Sequence, residues 1–255
     1  VTVGSPSLAT IAALVVAAFF AGMIDAIGGG GGLITVPALL AAGLDPRIAL
    51  ATNKGQAVFG AVASAASYER RGAVDRGRAK VAFLSGFVGS AFGALLLFTF
   101  RPEPLRPIVI VLLLGALVVA LVPRNKLPRI TPKHPSLALA SVAFGLGTYD
   151  GFFGPGVGSM LIVANVVLFG DSLVNASGNA KVVNLASNLA AFAFFAAKGT
   201  ILFHVSLPMA AANATGAYVG SRLAFKGGDK LVRGVLVVVV LAVVAKLGRD
   251  ILKAA

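Results

Sequence analysis

Four charged side chains, Asp25, Lys54, Asp150 and Lys181, stand in stretches otherwise apolar enough for a lipid bilayer, and they recur as a duplicated set. The first copy reads Gly22-Met-Ile-Asp25-Ala-Ile-Gly28-Gly29-Gly30-Gly31-Gly32, then Thr52-Asn53-Lys54, then Gly72, Gly89 and Gly93. The second reads Gly147-Thr-Tyr-Asp150-Gly-Phe-Phe-Gly154-Pro155-Gly156-Val-Gly158, then Asn179-Ala180-Lys181, then Gly199, Gly216 and Gly220. The aspartates lie 125 positions apart, the lysines and the three later glycine pairs 127, so two residues entered between aspartate and lysine. A duplicated unit of apolar helices, broken by glycine and carrying internal charge, is the plan of a secondary transporter.

The chain is 58% hydrophobic and only 12% charged, where a soluble domain carries about a quarter charged residues. Runs such as 8–24, 81–100, 105–122 and 231–247 have about the 17–25 residues that cross a ~30 Å hydrocarbon core. The pattern predicts an all-α polytopic membrane protein of two inverted repeats, each of about five apolar segments, giving 8–10 membrane segments. Residues 1–122 form the first repeat, with segments at 8–27, 31–42, 48–68, 78–99 and 105–122. Residues 136–255 form the second, with segments at 136–153, 157–169, 173–196, 205–224 and 230–250. A basic, Pro-rich hinge, 123–135, joins them. The second segment of each repeat is too short for a comfortable span and reads as a re-entrant or strongly tilted helix, packed inside protein. The first apolar run lacks a basic flank and a cleavage site, which predicts a retained helix.

The formal charge of +13 could suggest a nucleic-acid partner, but its distribution excludes one. Basic residues crowd into short connections, Arg70, Arg71, Arg76, Arg78 and Lys80 in one, Arg124, Lys126, Arg129 and Lys133 in another, with no aromatic residues interleaved. Such loops mark the cytoplasmic face. The loop at 69–80 holds five basic side chains whereas its equivalent, 197–205, holds Lys198 with His204 beside it. Opposite faces for equivalent loops mean inverted repeats. With no cysteine in the chain, thiolate metal sites and redox-thiol chemistry are excluded. No cofactor, metal or catalytic residue is expected, and the partners are the lipid bilayer and a small anion.

A charge at the bilayer centre costs several kcal/mol, roughly, on any scale. One account of the four charges pairs Asp25 with Lys54 and Asp150 with Lys181 as neutral struts. The other places them around a polar cavity at the repeat interface. The clusters Gly28, Gly29, Gly30, Gly31, Gly32 and Gly154, Gly156, Gly158 interrupt α-helix and release backbone N–H groups at the start of the next helix, a natural anion site. Gly89, Gly93, Gly216 and Gly220 suit close helix packing instead. Lys181, Asn184 and Asn188 share one helix face with Ser187 beside it, and Asn53, Gln56 and Gly60 have the same spacing near Thr52 and Lys54. The expected binding set is therefore these glycines with Thr52, Asn53, Lys54, Gln56, Asn179, Lys181, Asn184, Ser187 and Asn188. One of Asp25 and Asp150 is expected to be protonated when the site is loaded, coupling the anion to a proton. Ala57, Gly60 and Ala61 stand where the second copy has Asn184, Ser187 and Asn188, so Lys181, with the richer polar face, is expected to govern affinity more than Lys54.

The glycine break followed by Val36-Pro37, the Ala51-Thr52-Asn53-Lys54 run, the Lys181-Val-Val-Asn184-Leu-Ala-Ser187-Asn188 run and Gly199 resemble the TauE/SafE sulfite-exporter-type family over about residues 20–250. The resemblance implies a prokaryotic inner-membrane permease for sulfur-containing anions such as sulfite, thiosulfate or organosulfonates such as sulfoacetate. An anion channel and, from another class, an intramembrane enzyme built on Ser159 or Ser187 with His204 are the alternatives. Export or import, and the oligomeric state, are open at this level.

Overall fold

The computed structural model describes residues 7–99 and 130–254, with side chains through residue 228 and at 230, 231 and 234. Helices account for nearly all of it, and no strand occurs among the described residues. In chain order they are α1 (Leu8–Gly28), α2 (Gly32–Ala41), α3 (Pro46–Arg70), α4 (Arg76–Thr99), α5 (Pro135–Phe152), α6 (Val157–Phe169), α7 (Leu173–Ala197) and α8 (Phe203–Ala254). The expected helix 105–122 and most of the hinge 123–135 lie outside the described residues.

Local chemistry sets the helix ends. Ser7 caps α1 by accepting from the Thr10 amide, Asp45 caps α3 from Arg47 with Pro46 in the first turn, and Ser172 caps α7 from Asn175. Asp45 and Ser172 are 127 positions apart, so the duplication extends to the caps. Gly228 (φ 55°, ψ −156°) breaks α8, separating the two helices expected at 205–224 and 230–250.

Helices α1, α4 and α7 are long and apolar enough to cross a membrane, and α2 and α6 are short apolar helices of 10 and 13 residues. At 1.5 Å per residue the short pair reach about 15 and 20 Å, less than a hydrocarbon core. Polarity is turned inside out. Val16, Phe20, Leu84, Val88, Phe92 and Leu207 are exposed, while Lys54, Asp150, Lys181, Asn184 and Asn188 are buried. That is the surface of a protein solvated by lipid.

The two halves share one core and exchange partners reciprocally. Helix α1 packs along α8, and α4 along α5. A Cβ on Gly89 would collide with the Phe144 carbonyl, and one on Gly216 with that of Phe19; Gly93 meets Thr148 as Gly220 meets Met23. Each member of these pairs has its own counterpart in the other pair, 125 or 127 residues away. These four glycines therefore serve helix packing, as their spacing predicts.

Candidate functional site

The chain breaks where glycine lets it. Gly29 (φ 73°) and Gly30 (φ 106°) end α1, and Gly154 (φ 98°) and Gly156 (φ 85°) precede α6, conformations that side chains resist. The two breaks meet backbone to backbone. A Cβ on Gly29 would collide with the Gly158–Ser159 peptide, one on Gly32 would lie 3.1 Å from the Pro155 Cα, and the Ser159 hydroxyl donates to the Gly28 carbonyl at 2.9 Å. Gly28 and Gly29, expected among the donors, instead carry this crossing.

The buried charges pair across the halves, correcting the within-half pairing allowed by the sequence. Lys54 Nζ on α3 donates to Asp150 Oδ1 on α5 at 2.6 Å, and Lys181 Nζ on α7 donates to Asp25 Oδ2 on α1 at 2.7 Å. The first pair is sealed, with side chains 4% and 3% exposed, and the Ser187 hydroxyl also donates to Asp150 Oδ2. In the second, Lys181 is 0% exposed but Asp25 is 28% exposed. Asp25 Oδ1 also accepts from the backbone N–H groups of Gly30 (3.1 Å) and Gly31 (3.2 Å). Two of the N–H groups released by the first break are thus already bound, to a carboxylate of the same chain.

Between the breaks lies a cavity of about 40 Å³, enough to admit water. Asp25, Gly30, Gly31, Gly32, Asn53, Lys54, Gln56, Asp150, Gly154, Gly156, Gly158, Asn184 and Asn188 line it, all of them singled out in the sequence. Lys54 Nζ also lies 3.4 Å from Asn188 Oδ1, and the Asn188 amide donates to the Asn184 carbonyl. Asn53 Oδ1 accepts from the Thr35 hydroxyl at 2.6 Å and from Gln56 Nε2 at 2.8 Å, leaving Gln56 Oε1 buried and without a partner.

Six expected residues, Gly28, Gly29, Thr52, Asn179, Lys181 and Ser187, do not line the cavity. Lys181 stands behind Asp25, so Lys54, rather than Lys181, is the lysine the cavity meets. Ser187 acts on Asp150. Thr52 and Asn179 clamp loops. The Thr52 hydroxyl accepts from the Leu202 amide, and Asn179 Oδ1 accepts from that of Asp75 while its amide donates to Asp171. These loop residues are again 127 apart.

Sequence reasoning missed Ala57, Ala61, Val157 and Asn213 in the lining. Asn213 of α8 donates to the Ala18 carbonyl, and its oxygen takes the space a side chain at Gly60 would need. Its counterpart 127 positions earlier is Gly86, so the duplication gave no sign of it. A lone buried amide in an apolar helix was the only available signal.

The model of the family described as sulfite exporter TauE/SafE matches residues 14–247. The chain is 39% identical over 245 residues to a probable membrane transporter protein, ORF9, of Sinorhizobium sp, covering 94% of this chain and 93% of that one. It is 37% identical over 246 residues to a probable membrane transporter protein of Haemophilus influenzae, covering 94% and 95%. It is 39% identical over 236 residues to the probable membrane transporter protein YfcA of Escherichia coli K12, covering 91% and 87%. No solved structure matches the chain significantly.

Proposed function

The chain belongs to the TauE/SafE sulfite exporter family, a family of membrane transporters rather than of enzymes, and we propose that it is a secondary transporter of small sulfur-containing anions. Sulfite, thiosulfate and organosulfonates such as sulfoacetate are the substrate class, moved across the prokaryotic cell membrane with a coupled proton. The observation that carries this reading is the cavity where two helix breaks meet, lined by glycine backbone, amides and the Lys54 ammonium. Backbone N–H groups, amides and an ammonium are the donors an oxyanion requires.

The chain works as two inverted repeats around that site. Support comes from the loop clamps. Thr52, near the start of α3, meets Leu202 beyond the end of α7, and Asn179, near the start of α7, meets Asp75 beyond the end of α3. Helices α3 and α7 therefore run antiparallel, and the loops after them fall at opposite ends. Rocking one repeat against the other would open the cavity to each side in turn.

Purified protein is tested first by thermal shift against sulfite, thiosulfate, sulfate, sulfoacetate, taurine and small carboxylates, since a ligand that binds only the folded state raises its melting temperature. In proteoliposomes, flux of the stabilising anion is expected to saturate and to follow a proton gradient. Unsaturable flux set by membrane potential alone makes the protein a channel, and stabilisation by carboxylates alone overturns the sulfur-anion class. For topology, Gly77→Cys is expected to react from the cytoplasmic side and Lys198→Cys from outside; labelling of both from one side overturns inversion.

A further inference from the structure

We propose that the Asp25 carboxylate occupies the seat an oxyanion takes during transport, so that substrate and carboxylate exchange for one set of donors. The inference rests on the transport reading above and specifies how its site is emptied and filled. Asp25 is held by two adjacent backbone N–H groups, Gly30 and Gly31, on one oxygen and by the Lys181 ammonium on the other. Two N–H groups at a helix break and a buried cation form a receptor for a carboxylate, sulfite or sulfonate headgroup. The chain fills that receptor with its own side chain. Asp150 holds no such place. It is bound by a lysine and a serine hydroxyl, while the Gly154 amide donates back to the Tyr149 carbonyl.

Charge points the same way. Asp25, Asp150, Lys54 and Lys181 sum to zero. With one proton on Asp25 and one monovalent anion in its seat, the sum is zero again. The proton comes from solvent, binds the released carboxylate oxygen and leaves with the anion, so no net charge remains in the site at either stage. Around Asp25, α3 contributes Lys54 and Tyr68, α5 Asp150 and α7 Lys181. At that point α2, α6 and α8 bring only the neutral groups Thr35, Ser159 and Asn213 among the described residues. The Tyr68 hydroxyl is occupied in donating to the Ala26 carbonyl, and of the two carboxylates lining the cavity Asp25 is the more open, 28% exposed against 3% for Asp150.

Gln56 supplies an independent sign that an anion enters. It is 1% exposed, lines the cavity and keeps an unpartnered Oε1 there. Turning the Gln56 and Asn53 amides over together preserves both bonds with their direction reversed. Asn53 Nδ2 then donates to Gln56 Oε1 and to the Thr35 hydroxyl, which donates on to the Gly31 carbonyl, 3.2 Å away. The free end of Gln56 becomes Nε2, a donor for the incoming oxyanion.

The probes are thiosulfate and ethanesulfonate, both fully ionised between about pH 5 and 8, so any dependence on pH belongs to the protein. On wild-type protein in weak buffer, exchange is expected to take up about one proton per ethanesulfonate bound, and affinity to rise by up to about tenfold per unit fall in pH. Asp25→Asn is expected to bind with no pH dependence and to gain a larger thermal shift from ethanesulfonate than wild type, because the anion replaces the lost partner of Lys181. Asp150→Asn is expected to keep the wild-type pH slope. Gln56→Leu is expected to weaken both probes about tenfold at unchanged slope. Binding without proton uptake, or a wild-type slope surviving in Asp25→Asn, overturns the exchange while leaving transport intact. No thermal response to any anion in either wild type or Asp25→Asn removes the transport reading and the exchange with it.

Discussion

At the first glycine break the Asp25 carboxylate accepts from two released N–H groups, pairs with Lys181 and remains 28% exposed toward the cavity. At the second, Asp150 is 3% exposed, clasped by Lys54 and Ser187. The frame is duplicated, but the chemistry at its centre is not. The difference traces to single residues: Ser187 has Gly60 as its counterpart, and the space at Gly60 is taken by the Asn213 amide. One aspartate is enclosed with its lysine while the other keeps an open side toward the cavity. The division matters because losing one partner of a pair sealed in low dielectric leaves an uncompensated buried charge, whereas a partly exposed partner keeps a route to solvent.

The sharpest way to break this comparison is to remove each lysine. Lys54→Ala leaves Asp150 buried without a cation and is expected to lose about 3–5 kcal/mol of stability. Lys181→Ala leaves Asp25 with its two N–H donors and the cavity, and the loss is expected to be smaller, about 1–3 kcal/mol. Equal losses in reversible unfolding would show that the two pairs are energetically alike. Lys54→Met with Asp150→Leu is expected to recover most of the stability lost in Lys54→Ala, by removing both buried charges, without recovering transport. Recovered transport would mean that this pair takes no part in the site.

Packing provides a smaller test, and here the halves should agree. Gly89→Ala and Gly216→Ala each push a methyl into a carbonyl of the partner helix. Each is expected to cost about 1–3 kcal/mol, and thermal unfolding of the two variants should match within error. A difference above about 1 kcal/mol would show that one interface can relax and the other cannot. Smallest are the loop glycines. Gly72 (φ 71°) and Gly199 (φ 64°) have open space where a Cβ would stand, so alanine meets only backbone strain, about 1 kcal/mol at each.

What the sequence determined by itself was the framework. Apolar runs, caps such as Asp45 and Ser172, and glycine clusters are local signals, so eight helices fell close to their expected bounds. Charges too costly for lipid identified the centre, and most of the cavity lining followed from them. Tertiary structure decided the partners. Crossed pairing of Lys54 with Asp150 and Lys181 with Asp25 depends on which helix of one half lies against which helix of the other, and residue spacing within a half holds no such information. The same applies to Thr52 and Asn179, polar residues beside the key lysines that turn out to clamp loops. It applies equally to Asn213, which enters the cavity only because α8 packs on α1. Periodicity fixes which face a residue occupies along its own helix; what that face meets is settled when the halves interlock, since a buried polar group takes its partner from the neighbouring helix.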